Sequence, residues 1–234
     1  MAARERLYPD DVLSGLRAGL STGAIEAAWG DWAAGVELAA DFGTDVIELC
    51  ALGESTLESL VSYLGADGDR LQVFEYVSVH APAQRAKGRW EDVAPQLAGL
   101  PPLVASVIVH PDLVEGSDIE VLRPLGRRLC FENMDCTKET GRFADELDDV
   151  FAAFPEAGFC LDLAHVWTND RSLRHADVLL ERFGERLRQV HVSGIDPDAT
   201  HRPMTPSDLA LYGRLLARCA AVPIVLESEP VRQP

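Results

Sequence analysis

Long apolar runs are missing from this 234-residue chain. None approaches the roughly 18 residues that a membrane-crossing helix needs. The opening Met1-Ala2-Ala3-Arg4-Glu5-Arg6 lacks the apolar stretch of a secretory signal. A cytoplasmic location is therefore expected. Positive charge is scarce as well. Lys and Arg number 21 against 38 Asp and Glu, a formal net charge of −17. So acidic a protein repels phosphate backbones at long range, which disfavours nucleic acid as its main partner. Cations held among clustered carboxylates would soften that repulsion. The five cysteines (Cys50, Cys130, Cys136, Cys160 and Cys219) are odd in number and show no close metal-type pairing. Cys50, Cys130 and Cys160 sit inside apolar runs, as small core residues do, rather than in a disulfide framework. No Gly/Ser-rich linker or shift of composition divides the chain, so a single domain is expected.

What is present suits a globular α/β protein. Hydrophobic residues make up 47% and charged residues 25%, enough for a sizeable core under an ordinary surface. Short β-branched runs alternate with Ala/Leu-rich amphipathic ones from end to end. Strands are expected at 17–22, 45–52, 74–80, 103–110, 128–133, 158–163, 189–193 and 223–227. Helices are expected near 31–42, 55–64, 90–97, 118–125, 144–154, 172–183 and 207–219. Gly, Pro and Asp punctuate the joins. Strands alternating with helices imply parallel pairing and right-handed crossovers. Eight is the number that closes a (β/α)8 TIM barrel. The sequence stops seven residues after Glu227, so no eighth helix is expected to follow the last strand. A short helix over 9–16 is the favoured cover for that strand. The alternative cover is a second subunit, which would make a homodimer.

Buried parallel strands should be almost wholly apolar, yet these end in metal-type ligands. The third closes on Val79-His80, the fourth on Val109-His110 and the fifth on Phe131-Glu132-Asn133. The sixth closes on Leu161-Asp162, with His165 three residues on; the seventh holds His191 and the eighth ends in Leu226-Glu227. Side chains alternate faces along a strand. Phe131, Leu161, Val190, Val192 and Leu226 are then expected to face the helices. Glu132, Asp162, His191 and Glu227 are expected to face inward at the C-terminal mouth, where TIM-barrel sites lie. Of six histidines only His175 falls in an expected helix. His165 and His201 are placed in loops beyond the strands. Buried carboxylates gathered without compensation repel one another and cost several kcal/mol, which a bound cation removes.

The ordered set of strand-end residues resembles the xylose isomerase-like TIM-barrel superfamily, which includes sugar isomerases and epimerases and the endonuclease IV group. The resemblance spans the chain. It rests on His80 in Val-His-Ala-Pro, His110 in His-Pro-Asp, Glu132 in Glu-Asn-Met-Asp, Asp162-x-x-His165, His191, and Glu227 in Val-Leu-Glu-Ser. It looks closest to bacterial proteins labelled sugar phosphate isomerase/epimerase. The resemblance to the isomerases implies one metal on Glu132, Asp162, His191 and Glu227. The resemblance to the endonuclease IV group implies a further ion on His80, His110 and Glu132, and a third on His165 with an Asp-x-His pair. Here the chain departs, reading Asp198-Ala199-Thr200-His201, with the Asp displaced by one.

The expected cofactor is one divalent ion (Mn, Zn, Co or Mg), with two or three as alternatives. In the leading reading, the substrate is a small sugar or sugar phosphate. The cation polarises a carbonyl and stabilises an enediolate, while Glu132 and Glu227 exchange the proton as catalytic residues. His165, His201, Glu48, Lys138 and Arg202 are the expected substrate contacts. For Glu48, accepting a hydrogen bond from a ligand histidine stands as its other role. The cationic loop 85–89 is either solvated or binds a substrate phosphate or carboxylate. Trp32, Trp90 and Phe183 are read as helix packing, and Trp167 as a loop residue that walls the pocket. The alternatives are a multinuclear phosphodiesterase using the His80/His110 pair, and a non-catalytic metal- or metabolite-binding barrel.

Overall fold

The computed structural model describes residues 15–84 and 89–229. Eight parallel strands close into a barrel: β1 (Ala18–Ser21), β2 (Val46–Cys50), β3 (Tyr76–His80), β4 (Val104–Val109), β5 (Leu129–Glu132), β6 (Gly158–Asp162), β7 (Leu187–Val192) and β10 (Ile224–Leu226). Between β7 and β10 lies a separate antiparallel hairpin, β8 (Gly194–Ile195) with β9 (His201–Arg202). Closure is made by β1, which pairs on one side with β2 and on the other with β10. Gly19 permits that closure. A Cβ there would fall 1.7 Å from the carbonyl oxygen of Val46, so only glycine lets the two backbones approach.

The described residues hold eight α-helices: α1 (Trp32–Asp41), α2 (Glu54–Asp67), α3 (Ala94–Ala98), α4 (Ile119–Leu122), α5 (Ala144–Ala153), α6 (Leu163–Asn169), α7 (Arg174–Phe183) and α8 (Pro206–Arg218). Two of them, α6 and α7, share the connection from β6 to β7. Among the described residues no helix follows β10. Most of the expected helix over 9–16, and loop residues 85–88, lie outside the described residues. No described helix is long and apolar enough to cross a membrane.

The longer helices follow from their apolar spacing. Helix α5 buries Ala144, Leu147 and Phe151, and α7 buries Ala176, Leu179 and Phe183, steps of three and four that make one stripe. Between sheet and helices, Phe151 packs on Phe183 with ring centroids 4.7 Å apart, and Phe131 on Phe154 at 5.2 Å. Each such burial contributes about 1.5–3 kcal/mol. A second, smaller layer of Ile108, Cys130 and Cys160 fills the barrel interior.

Two expected helices are shorter in the structure. The 90–97 stretch turns first and becomes helical only at Ala94, because Pro95 suits a first turn and no later one. Trp90 is fully buried in that turn, donating Nε1–H to the carbonyl of Leu113. The 118–125 stretch keeps α-geometry only over Ile119–Leu122. Pro124 has no N–H to continue the ladder, and a 3-10 turn with Gly126 at φ 53° takes over.

Candidate metal centre at the barrel mouth

Inward-facing positions at the C-terminal strand ends bring six acidic and imidazole side chains together, and His165 joins them from α6. Glu132, 1% exposed at its side chain, is the hub. Its Oε2 lies 3.3 Å from Nε2 of both His80 and His110. Its Oε1 lies 3.0 Å from Nδ1 of His191 and 3.5 Å from Nδ1 of His165. Glu227 Oε1 reaches the same His191 Nδ1 at 3.3 Å. Asp162 caps α6, its Oδ1 accepting from the His165 backbone N–H at 2.6 Å. Asn133 stitches β5 to β6 beside them: its amide donates to the Asp162 carbonyl at 3.0 Å and its oxygen accepts from the Asp162 N–H at 2.8 Å.

The electrostatics are those of a site short of positive charge. Burial works to raise Glu132, but His191 and hydrogen bonds from His110, His191 and His80 hold its carboxyl well below the usual range. Burial likewise works against Glu227, and His191 pulls it down to about 2. Asp162 goes the other way. Burial, with the charges of Glu132 and Glu227 outweighing His165, lifts it to about 8. His80 is raised to about 9: burial opposes its charge, and Glu132, Glu48 and Glu227 overcome that. The pocket therefore retains protons to neutralise itself.

A cation could replace those protons. One group is Glu132, Asp162, His191 and Glu227; another is His80, His110 and Glu132. In each, the ligand atoms lie within 4.8 Å of one another. Asp162 Oδ2 is buried with no hydrogen-bond partner, as a ligand atom awaiting a cation would be. His80 directs Nδ1 at the carbonyl of Ala81, 2.9 Å away, which leaves Nε2 for coordination. Oxygen and imidazole donors of this kind fit a divalent ion of the Mn, Zn, Co or Mg series. Above the two groups opens a cavity of ≈ 290 Å³, lined by Trp29, His110, His165, His201 and Glu227 among others. A second hollow, ≈ 350 Å³, lies at the opposite rim around Arg123, Phe154 and Glu156, and no metal-type group adjoins it among the described residues.

Comparison with solved structures gives the same architecture. D-psicose 3-epimerase of Clostridium cellulolyticum H10, crystallised with D-tagatose, superposes with a TM-score of 0.57 at 14% identity, over 93% of this chain and 86% of that one. The 3-keto-D-glucoside 4-epimerase of E. coli gives 0.56 at 14% identity, over 94% of both chains. This chain has the TIM-barrel fold of sugar epimerases. At such identity the likeness is one of fold. No protein-family profile and no curated protein sequence matches the chain.

On this barrel, some expected substrate contacts line the cavity and others do not. His165 and His201 line the cavity, their ring centroids 5.6 Å apart. Neither is in a loop: His165 rides on α6 and His201 on β9. Glu48, Lys138 and Arg202 are not among the residues that line the cavity. Glu48 is fully buried below it, with Oε2 3.1 Å from His191 Nε2. Lys138 follows the turn closed by its N–H on the Asp135 carbonyl. Arg202 spends its guanidinium on Asp208, at 2.7 and 3.0 Å, and on Asp196, at 3.2 Å. The displaced Asp198 bonds its own turn through Thr200, and no third ligand group forms among the described residues. Trp167 also belongs to α6 and stacks under Arg171 rather than walling the pocket.

Trp29 was not legible as a site residue. It follows β1, 60% exposed at the mouth, and its Nε1–H donates to the Gly23 carbonyl at 3.0 Å. Gln189 did carry a signal, being a polar residue of His191 parity within a buried strand.

Proposed function

We propose that this protein is a divalent-metal-dependent isomerase or epimerase of a small sugar or sugar phosphate. The observation that carries the reading is the convergence of Glu132, Asp162, His191 and Glu227 within 4.8 Å at the floor of an open cavity. A divalent ion held there would supply Lewis acidity, polarising a substrate carbonyl and easing loss of the proton from the adjacent carbon. Glu132 ends β5 and Glu227 follows β10, strands three places apart around the barrel, so one carboxylate takes the proton and the other returns it. Glu227 is the more open of the two, 14% exposed at its side chain against 1%. Asp162 and His191 complete the ligand set. His110, His165 and His201 offer hydrogen bonds to hydroxyls, and Trp29 offers an apolar wall of the kind that lies along a sugar face.

The test is solvent exchange. Protein loaded with Mn2+ or Co2+ is incubated with ketoses and sugar phosphates in D2O. Deuterium is expected at the carbon beside the carbonyl, only when metal is present. A panel with no exchange and no change of configuration overturns the reading.

A second reading has one specific observation in its favour. The group His80, His110 and Glu132 gives a second ligand set that shares Glu132 with the first, and paired ions suit phosphodiester hydrolysis. Two bound equivalents, together with metal-dependent cleavage of a phosphodiester and no sugar exchange, would put it first.

A further inference from the structure

Beneath the ligand cluster, at a depth where Ile108, Cys130 and Cys160 fill the barrel interior, stand two side chains that packing would not select. Glu48 of β2 and Gln189 of β7 are fully buried. Their strands are not neighbours; β1 and β10 lie between them. The two meet at His191. Glu48 Oε2 lies 3.1 Å from His191 Nε2, 2.6 Å from Gln189 Nε2 and 3.2 Å from Ser78 Oγ.

An imidazole that coordinates through one nitrogen carries its proton on the other, and the partner of that N–H sets the plane of the ring. His191 aims Nδ1 at Glu132 and Glu227, so Nδ1 is the coordinating atom and Nε2 bears the proton. That proton needs an acceptor. Gln189 Nε2 approaches the ring nitrogen to 2.5 Å, but an amide nitrogen cannot accept. Its service is to the carboxylate, to which it donates. Glu48 Oε2 is the acceptor that remains within reach. Burying a carboxyl at this depth is costly, and three converging donors offset part of the cost.

We infer that Glu48 is a positioning residue for the metal site: it accepts the Nε2–H of His191 and so holds Nδ1 toward the cation. The inference rests on the metal-dependent reading above, but not on which sugar, or which reaction, the site serves. It gives β2 a part in a centre whose proposed ligands come from β3, β5, β6 and β7 and from the residues just beyond β4 and β10.

The full-length protein is titrated calorimetrically with Co2+, and the visible absorption of the Co2+ form is recorded. Glu48→Ala is expected to weaken Co2+ binding by roughly 10- to 100-fold and to shift the absorption bands, because the ring loses its orientation. Glu48→Gln keeps an acceptor oxygen without the charge and should fall between Glu48→Ala and wild type. Ser78→Ala, which touches Glu48 but not the ring, should bind as wild type does. The inference is overturned if both Glu48 variants match wild type in affinity and spectrum, or if Ser78→Ala weakens binding as much as Glu48→Ala. Should Glu48→Ala fail to fold, Glu48→Gln alone decides by the same comparison. Wild-type protein that takes up no Co2+ overturns the proposed function, and this inference with it. Normal wild-type uptake with unaltered variants overturns this inference alone.

Discussion

His80 and His110 stand edge to face, ring centroids 4.9 Å apart, and both present Nε2 to the same oxygen of Glu132. Two imidazoles so placed act as a pair. If the pair holds an ion of its own, as the second reading requires, replacing both by Ala lowers the bound metal by one equivalent and leaves the four-ligand group of Asp162, His191, Glu227 and Glu132 loaded. Elemental analysis checks this; metal content equal to wild type removes the pair from the ligand set.

Glu132 belongs to both groups, so its charge matters twice. Glu132→Gln keeps the volume and is expected to leave the fold intact while turnover falls by roughly 10²-fold or more. Circular dichroism and the exchange assay read the two effects separately. A fully active variant would remove Glu132 from the chemistry.

Metal uptake should strengthen as pH rises from about 6 to about 9, because ligands must shed protons first. Asp162, raised from 3.8 to about 8, and His80, raised from 6.5 to about 9, both hold theirs in the folded chain. A folded state that binds more protons than the unfolded one loses stability with rising pH across that window. For His80 the contribution is complete below 6.5 and is lost through about 9; for Asp162 it is complete below 3.8 and is lost through about 8. A cation takes the protons' place. The rise in melting temperature on adding Mn2+ is therefore expected to be larger at high pH than at low pH. Equal shifts at both ends would contradict it.

Arg202 joins the β8–β9 hairpin to the N-terminus of α8, where Asp208 also accepts from the Thr205 N–H at 2.8 Å. Arg202→Ala strips a partly buried carboxylate of its partner and should cost about 1.5–3 kcal/mol. It should also raise KM by freeing His201, with metal content unchanged. Hydrogen exchange at residues 194–202 tests the loosening; protection equal to wild type would show the hairpin held by something else.

The barrel and its rim were readable because buried parallel strands are so uniformly apolar that Glu132, Asp162 and His191 stand out at their ends. Parity then assigned them inward without further information. What escaped notice was short or distant. Helix α6 has only seven residues, and its cap is Asp162, a residue already read as a ligand. Each strand of the β8–β9 hairpin has two residues, too few to show a period. The Glu48–Gln189 contact spans 141 positions, and pairing across the barrel interior leaves no trace in local spacing. Trp29 faces solvent after β1, where no periodicity distinguishes a wall from an ordinary surface aromatic.

The hairpin bearing His201 is clamped from its outer side, through Arg202, to a surface helix, whereas the proposed ion ligands sit on the barrel staves themselves. On the proposed reading, selectivity and reactivity would thus be carried by separately replaceable parts. Residues 194–205 can be rewritten, by descent or by design, to admit a differently shaped guest while the coordinating ring below stays untouched.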